Sequence, residues 1–188
     1  MHVASRAEWR AWLEENHAAS AGIWMVRWKK SAGQGYVPYD EMAEEALCFG
    51  WIDSTHRPFD EERTQILVTP RKVGSRWSAV NKERVERLTA AGLMRPAGAT
   101  VIEAAKADGA WNALDEVETL VEPPDLTVAL AADPVARSVW DGFPPSARKA
   151  ILQWVSDART APTRERRIAT VVGDAHEGRR ANQWRRPT

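Results

Sequence analysis

Every stretch with the composition of a β-strand lies within the first 70 residues, which confines any sheet to the front of the chain. Ile23 to Trp28 (IWMVRW) is rich in strand formers and apolar on both alternating faces except at Arg27. It reads as a strand with at least one buried face. Trp51 to Asp53 reads as a short strand, and Gln65 to Thr69 (QILVT) as another, closed by Pro70. The acidic FDEER between them suits the turn of a hairpin.

The rest reads as helix. Ser5 opens S-R-A-E, a capping box with Glu8 at the third helical position, and Trp9, Trp12, Leu13 and Asn16 follow at helical spacing over residues 6–17. Asp40 is placed to cap a helix over 41–49, with Met42, Ala43, Ala46, Leu47 and Phe49 as its apolar stripe and Gly50 as its stop. Ser78 caps a helix through Ala91. Pro96 suits the first turn of another that reaches Asp108. Residues 112–124 are acidic and end in Glu-Pro-Pro, as a linker does. Beyond it, Asp125 and Asp133-Pro134 open two short helices, and residues 145–158 and 163–177 each carry one apolar stripe. The tail GRRANQWRRPT has no period and is expected to fray. The expected class is therefore α+β. Residues 1–115 supply a small antiparallel sheet with covering helices, and residues 125–188 a C-terminal helical module with a basic tail.

Composition narrows the function. Lys plus Arg equals Asp plus Glu at 26 each, so there is no bulk pull toward DNA or a membrane. No run approaches the roughly 18 apolar residues of a membrane helix. Cys48 is the single cysteine, which rules out an intrachain disulfide and suits a reducing cytoplasm. The start, MHVASRAEWRAW, carries charges every few residues and does not read as a signal peptide. His2, His17, His56 and His176 have no metal-ligand spacing, and no Walker, dinucleotide or nucleophile-elbow motif occurs, so neither metal nor cofactor is expected. Charge is unevenly spread, however. Residues 40–62 hold eight acids against one base, 63–87 seven bases against two acids, 103–141 nine acids against two bases, and 159–188 eight arginines against three acids. Pairing between these blocks is the simplest account; a basic face for an anionic partner is the alternative.

The candidate site lies between Ala46 and Asn81. ALCFGWIDS ends in Asp53 and Ser54, and TPRKVGSRWSAVN packs Arg71, Lys72, Ser75, Arg76, Trp77, Ser78 and Asn81 into about a dozen residues. Cations, hydroxyls, an amide and a flat ring in such density suit an anionic or planar ligand. Arg71 could supply a bidentate fork, and Ser78 with the free N–H groups of its helix a cradle. The competing account makes Ser78 a cap, Trp77 core, and Arg71 the partner of an acid. Asp53 could act as general base or simply pair with a nearby arginine. Lys29 and Lys30 end a strand, and Lys30 is the candidate to reach the ligand; Tyr39 could lend a hydroxyl. Trp51, one of ten tryptophans against three Phe and two Tyr, is a candidate for the lining. Glu45 is expected to be solvated. Cys48, between Leu47 and Phe49 near a helix C-terminus, is expected to be buried and inert.

These phrases resemble the YdeI/OmpD-associated, or bacteriocin-protection, family. The matching pieces are EWRAWLEENH, GIWMVRWKKSAG, YDEMAEEALCFGWIDS, TPRKVGSRWSAVN, AAKADGAW and LQWVSDARTAPTRERRI. The N-terminal pair ALCFGWID and PRK..S.WS..N is the more specific; the arginine-rich helices are less so. Where relatives often carry Glu-Thr-Arg, this chain has Pro162-Thr163-Arg164, which removes one acid. The resemblance implies a small cytoplasmic bacterial protein linked to resistance toward bacteriocins or other envelope stress, and implies no particular reaction.

Three functions follow. The leading one is a stress-protection protein that binds a small anionic or aromatic molecule between the two motifs. The second is an enzyme acting on that molecule, with Asp53 as acid/base and Arg71 stabilising charge. The third is a nucleic-acid or protein-partner module built on the arginines from Arg159 to Arg186 with Trp184, for which a solvated helix with a loose basic tail is an equal explanation. Sequence gives no oligomeric state.

Overall fold

Strand-forming sequence does end at Pro70. A computed structural model describes residues 1–33 and 35–183, and the chain is α+β: one three-stranded antiparallel sheet with helices, then helices alone. Trp184 to Thr188, including the end of the basic tail, lie outside the described residues. The chain divides into two compact units, Met1–Ala113 and Leu114–Thr188.

In the first unit, β1 (Ile23–Trp28), β2 (Trp51–Pro58) and β3 (Arg63–Pro70) lie in the order β1-β3-β2. The β2–β3 link is a hairpin, as FDEER suggests: Asp60 Oδ1 accepts from the backbone N–H groups of Glu62 and Arg63. β2 is longer than its apolar start, and its register slips between Asp53 and His56. Asp53 faces Val68 and His56 faces Ile66, both buried, so the slip turns two residues three apart toward the same side.

Helix α1 (Arg6–Asn16) begins at Ser5, whose hydroxyl accepts from Glu8 N–H, while the Glu8 carboxylate accepts from Ala4 N–H. The Ser5 half of the expected capping box therefore forms, while Glu8 reaches back to Ala4 rather than to the cap residue itself. Helix α2 (Tyr39–Cys48) is the centre of the unit, packing against α1, β2, α3 (Ala79–Ala90) and α4 (Pro96–Ala107). Two expectations about α2 are corrected. Pro38 rather than Asp40 precedes it; Asp40 sits in the first turn and pairs with Arg84. Glu45 is not solvated but 2% exposed, ion-paired with Arg6 and Arg10. A helix enclosed on every side has no solvent face, so its carboxylates need buried partners. Cys48 is fully buried, and burial pushes its thiol pKa up.

The second unit contains α5 (Asp115–Glu118), α6 (Pro124–Ala131), α7 (Pro134–Asp141), α8 (Pro145–Ser156) and α9 (Ala161–His176). Three of these start on proline and α9 has Pro162 as its second residue, where the missing N–H would be unsatisfied anyway. The stretch 112–124 is not a bare linker. It carries α5, buries Val117 with Trp140 and Leu126, and places Glu122 where Arg137, Arg148 and the Trp140 indole N–H all donate to it. The acidic and basic blocks do pair, for example Asp40–Arg84, Glu44–Arg87 and Asp125–Arg164.

Candidate anion-binding site

Where β3 stops at Pro70, the chain enters the loop that leads to α3. Arg71 N–H donates to the Gly50 carbonyl at 2.9 Å, tying the loop to the end of α2. Gly74 takes a positive φ of 73°, and Ser75 N–H donates back to the Lys72 carbonyl at 3.1 Å. That turn folds the loop over the Arg71 side chain. Nη1 of Arg71 donates to the carbonyls of Arg76 at 3.0 Å and Ser75 at 3.4 Å, and its guanidinium carbon stands 3.8 Å from the centre of the Trp77 ring. Trp77 in turn packs against Trp111 at 4.9 Å.

Arg71 is only 9% exposed and has no carboxylate partner among the described residues. Burial lowers its pKa to about 10, with the Asp53 charge acting the other way, so it remains a cation at neutral pH. A buried ion without a partner costs several kcal/mol. Two carbonyls and a ring face offset part of that. The guanidinium is not fully satisfied: Nε of Arg71 is buried and has no hydrogen-bond partner, and neither has Nε1 of Trp77. Among the described residues four buried side-chain N–H groups are in that position, and the two residues Arg71 and Trp77 line one cavity. Its volume is about 50 Å³, and its walls include Arg71, Ser75, Trp77, Val101, Ala104 and Asp108.

The other sequence candidates separate. Ser78 caps α3, accepting from Asn81 N–H, and the Asn81 side-chain oxygen accepts from Arg84. Both have structural work that accounts for them. Trp51 is core, its indole donating to the His17 carbonyl, and lines no part of this cavity. Lys30 is exposed beyond Trp28, which pairs with Arg63 at the end of β3 opposite Pro70. At about 3.3 Å per residue, the length of β3 separates Lys30 from Arg71.

Tyr39 and Asp53 form a second cluster, joined by His56, which sequence reasoning passed over. The Tyr39 hydroxyl donates to Asp53 Oδ2 at 2.9 Å, and Nε2 of His56 lies 3.2 Å from the same oxygen. Burial, reinforced by the Asp53 charge, pushes the Tyr39 phenol up to about 12. The cavity beside Tyr39 and Asp53 measures about 10 Å³, space for one water at most. No sequence signal marks His56, because strand alternation puts residues three apart on opposite faces; only the register slip reunites them. Asp108, Val101 and Ala104 of the first cavity were equally invisible, being supplied by a helix remote in sequence.

Of the C-terminal arginines, Arg164 pairs with Asp125, Arg167 donates to the Trp154 carbonyl, and Arg179 pairs with Asp174. These three arginines are engaged within their own unit. Among the described residues no group of three or more His, Cys, Asp or Glu could hold a metal ion. No helix among them is long and apolar enough to cross a membrane.

Two family models match the chain. Residues 1–101 match one described as a domain of unknown function (DUF8412), and residues 119–178 match bacteriocin-protection, YdeI or OmpD-associated proteins. The ALCFGWID and PRK..S.WS..N motifs therefore fall under the first model, and the arginine-rich helices carry the second. No curated protein and no solved structure matches.

Proposed function

Because the chain belongs to the DUF8412 family over residues 1–101 and carries a bacteriocin-protection, YdeI/OmpD-associated domain at residues 119–178, we propose that it is a cytoplasmic protection protein whose N-terminal unit binds a small anion at Arg71 and Trp77. One observation carries this reading. Among the described residues the buried Arg71 guanidinium lacks a carboxylate, keeps an unpaired N–H, and lines a cavity with Trp77, which keeps another. An anion in that cavity would neutralise the buried charge. The acid/base alternative has less support. The Asp53 oxygen is already shared by Tyr39 and His56, and the cavity beside it has no space for a substrate.

Thermal melting in acetate, sulfate and phosphate salts at constant ionic strength tests the reading on the full chain. Anion binding stabilises the native state by mass action, about 2.7 kcal/mol at a hundredfold excess over Kd. Arg71→Met should fold at least as well as the parent, because replacing an unpaired buried charge by an apolar chain removes a penalty. It should also lose the anion-dependent rise in Tm. Equal responses of parent and variant to every anion would exclude the site.

A further inference from the structure

Resting on the anion-site reading, we infer that the ligand class is a short-chain monocarboxylate, of about two to four carbons, in preference to phosphate or sulfate. The electrostatics of the cavity point that way. Arg71 is its one buried cation; Lys72 and Asp108, of opposite sign, are both exposed at the margin. One net positive charge suits a monoanion, whereas a dianion would lack a second buried cation to balance it.

The helices agree. Phosphate sites are commonly built where free N–H groups at a helix N-terminus converge. Here the helical residues in the wall are Val101, Ala104, Ala105 and the C-cap residue Asp108, the middle and C-terminal end of α4. That end carries the negative pole of the helix, which disfavours concentrated negative charge. The N–H of Asn81 that α3 could have offered is taken by the Ser78 cap.

The remaining features fit a carboxylate with a short tail. Arg71 and Trp77, which each keep one buried unpaired N–H, both line the cavity. Opposite them Val101, Ala104 and Ala105 present only hydrocarbon. A cavity of about 50 Å³ holds a few waters or one small organic anion, not a nucleotide or a sugar phosphate.

The test titrates the full chain with formate, acetate, propionate, butyrate, hexanoate, sulfate and phosphate at constant ionic strength. The readout is the set of tryptophan indole N–H resonances, of which Trp77 gains an acceptor on binding. Affinity should rise about fourfold for each methylene buried, through propionate or butyrate, and fall at hexanoate. Ala104→Leu, at an exposed wall position that tolerates a larger side chain, should keep formate and lose butyrate. Arg71→Met should lose them all. If sulfate or phosphate binds as tightly as propionate, or affinity is flat along the carboxylate series, the ligand class is overturned and the anion site survives. If no anion moves an indole resonance in the parent, the inference and the site reading both fall.

Discussion

Oε2 of Glu45 accepts from Nη1 of Arg10 at 2.5 Å, at a position where Glu45 is only 2% exposed. Its other oxygen accepts from Nε of Arg6 at 2.6 Å, so one carboxylate of α2 fastens two successive turns of α1. Removing a buried partner leaves the survivors uncompensated, at about 3–5 kcal/mol when they too are buried. Here the arginines are partly exposed and can rehydrate. Glu45→Gln should therefore destabilise by about 2–3 kcal/mol, below that range. Arg10→Ala should cost less, because Arg6 still holds Glu45. Urea denaturation of both variants and of the double variant measures the coupling, and unchanged midpoints would show the pair to be idle.

Glu45 also marks the limit of sequence reading. Helix-face reasoning set it opposite Met42 and Phe49 and so toward water, yet α2 is enclosed on all sides and the arginines that meet Glu45 lie 35 or more residues away. Local signals were legible because they are closed within a few residues: the Ser5 cap, the Ser78 cap, the Asp60 turn. The polar density from Arg71 to Asn81 was legible too. That Arg71 meets no carboxylate among the described residues, that Asp108 comes from the end of α4 to line its cavity, and that a register slip pairs His56 with Asp53 are all consequences of packing, and no local pattern encodes them.

Gly98 and Gly173 make a contrasting pair of helical glycines. A Cβ at Gly98 would stand 2.3 Å from the Cys48 carbonyl oxygen and 2.8 Å from its carbon, both backbone atoms, where α4 passes the end of α2. Gly98→Ala should cost about 3 kcal/mol, the upper end for overpacking. At Gly173 in α9 nothing lies within 4 Å of the added methyl. Gly173→Ala should stabilise by about 0.5–1 kcal/mol through helix propensity alone. Denaturation midpoints moving in the same direction for both would contradict this packing.

The Tyr39–Asp53 hydrogen bond predicts an alkaline signature. The folded phenol ionises near 12 because burial, and then the Asp53 charge, oppose the phenolate. In the unfolded chain tyrosine ionises near 10. Raising the pKa of an acid favours its protonated form, so the stabilisation is fully present below about pH 10 and is lost as pH rises from there through 12. Phenolate absorbance of the native protein, which has two tyrosines, should show one group ionising only toward pH 12. Tyr39→Phe should delete that step and flatten the alkaline loss of stability. A late step that survives in Tyr39→Phe would assign it elsewhere.

The helical unit should be the acid-sensitive one, and Glu122 the main reason. Its carboxylate accepts from Arg137 at 2.7 and 2.9 Å and from the Trp140 indole at 2.8 Å, in a half-buried position. The Arg137 bonds hold its pKa below the usual range. Asp125, through Arg164, and Asp141, through Arg137, are depressed as well. For a depressed carboxylate the stabilisation is present above the unfolded pKa, near 4, and disappears as pH falls through the lower folded values. Helix content should hold down to about pH 4 and then decline. Glu122→Gln keeps an acceptor for Trp140 but loses the charge that Arg137 and Arg148 share. It should weaken the unit at neutral pH by about 1–3 kcal/mol, the range for a charged hydrogen bond. It should also make stability less dependent on pH below 5, since one titrating group is gone. Amide hydrogen exchange of α7 and α8 in the full chain, followed from neutral to acid pH, measures both effects. An unchanged acid slope in Glu122→Gln would move the origin of the sensitivity to the aspartates.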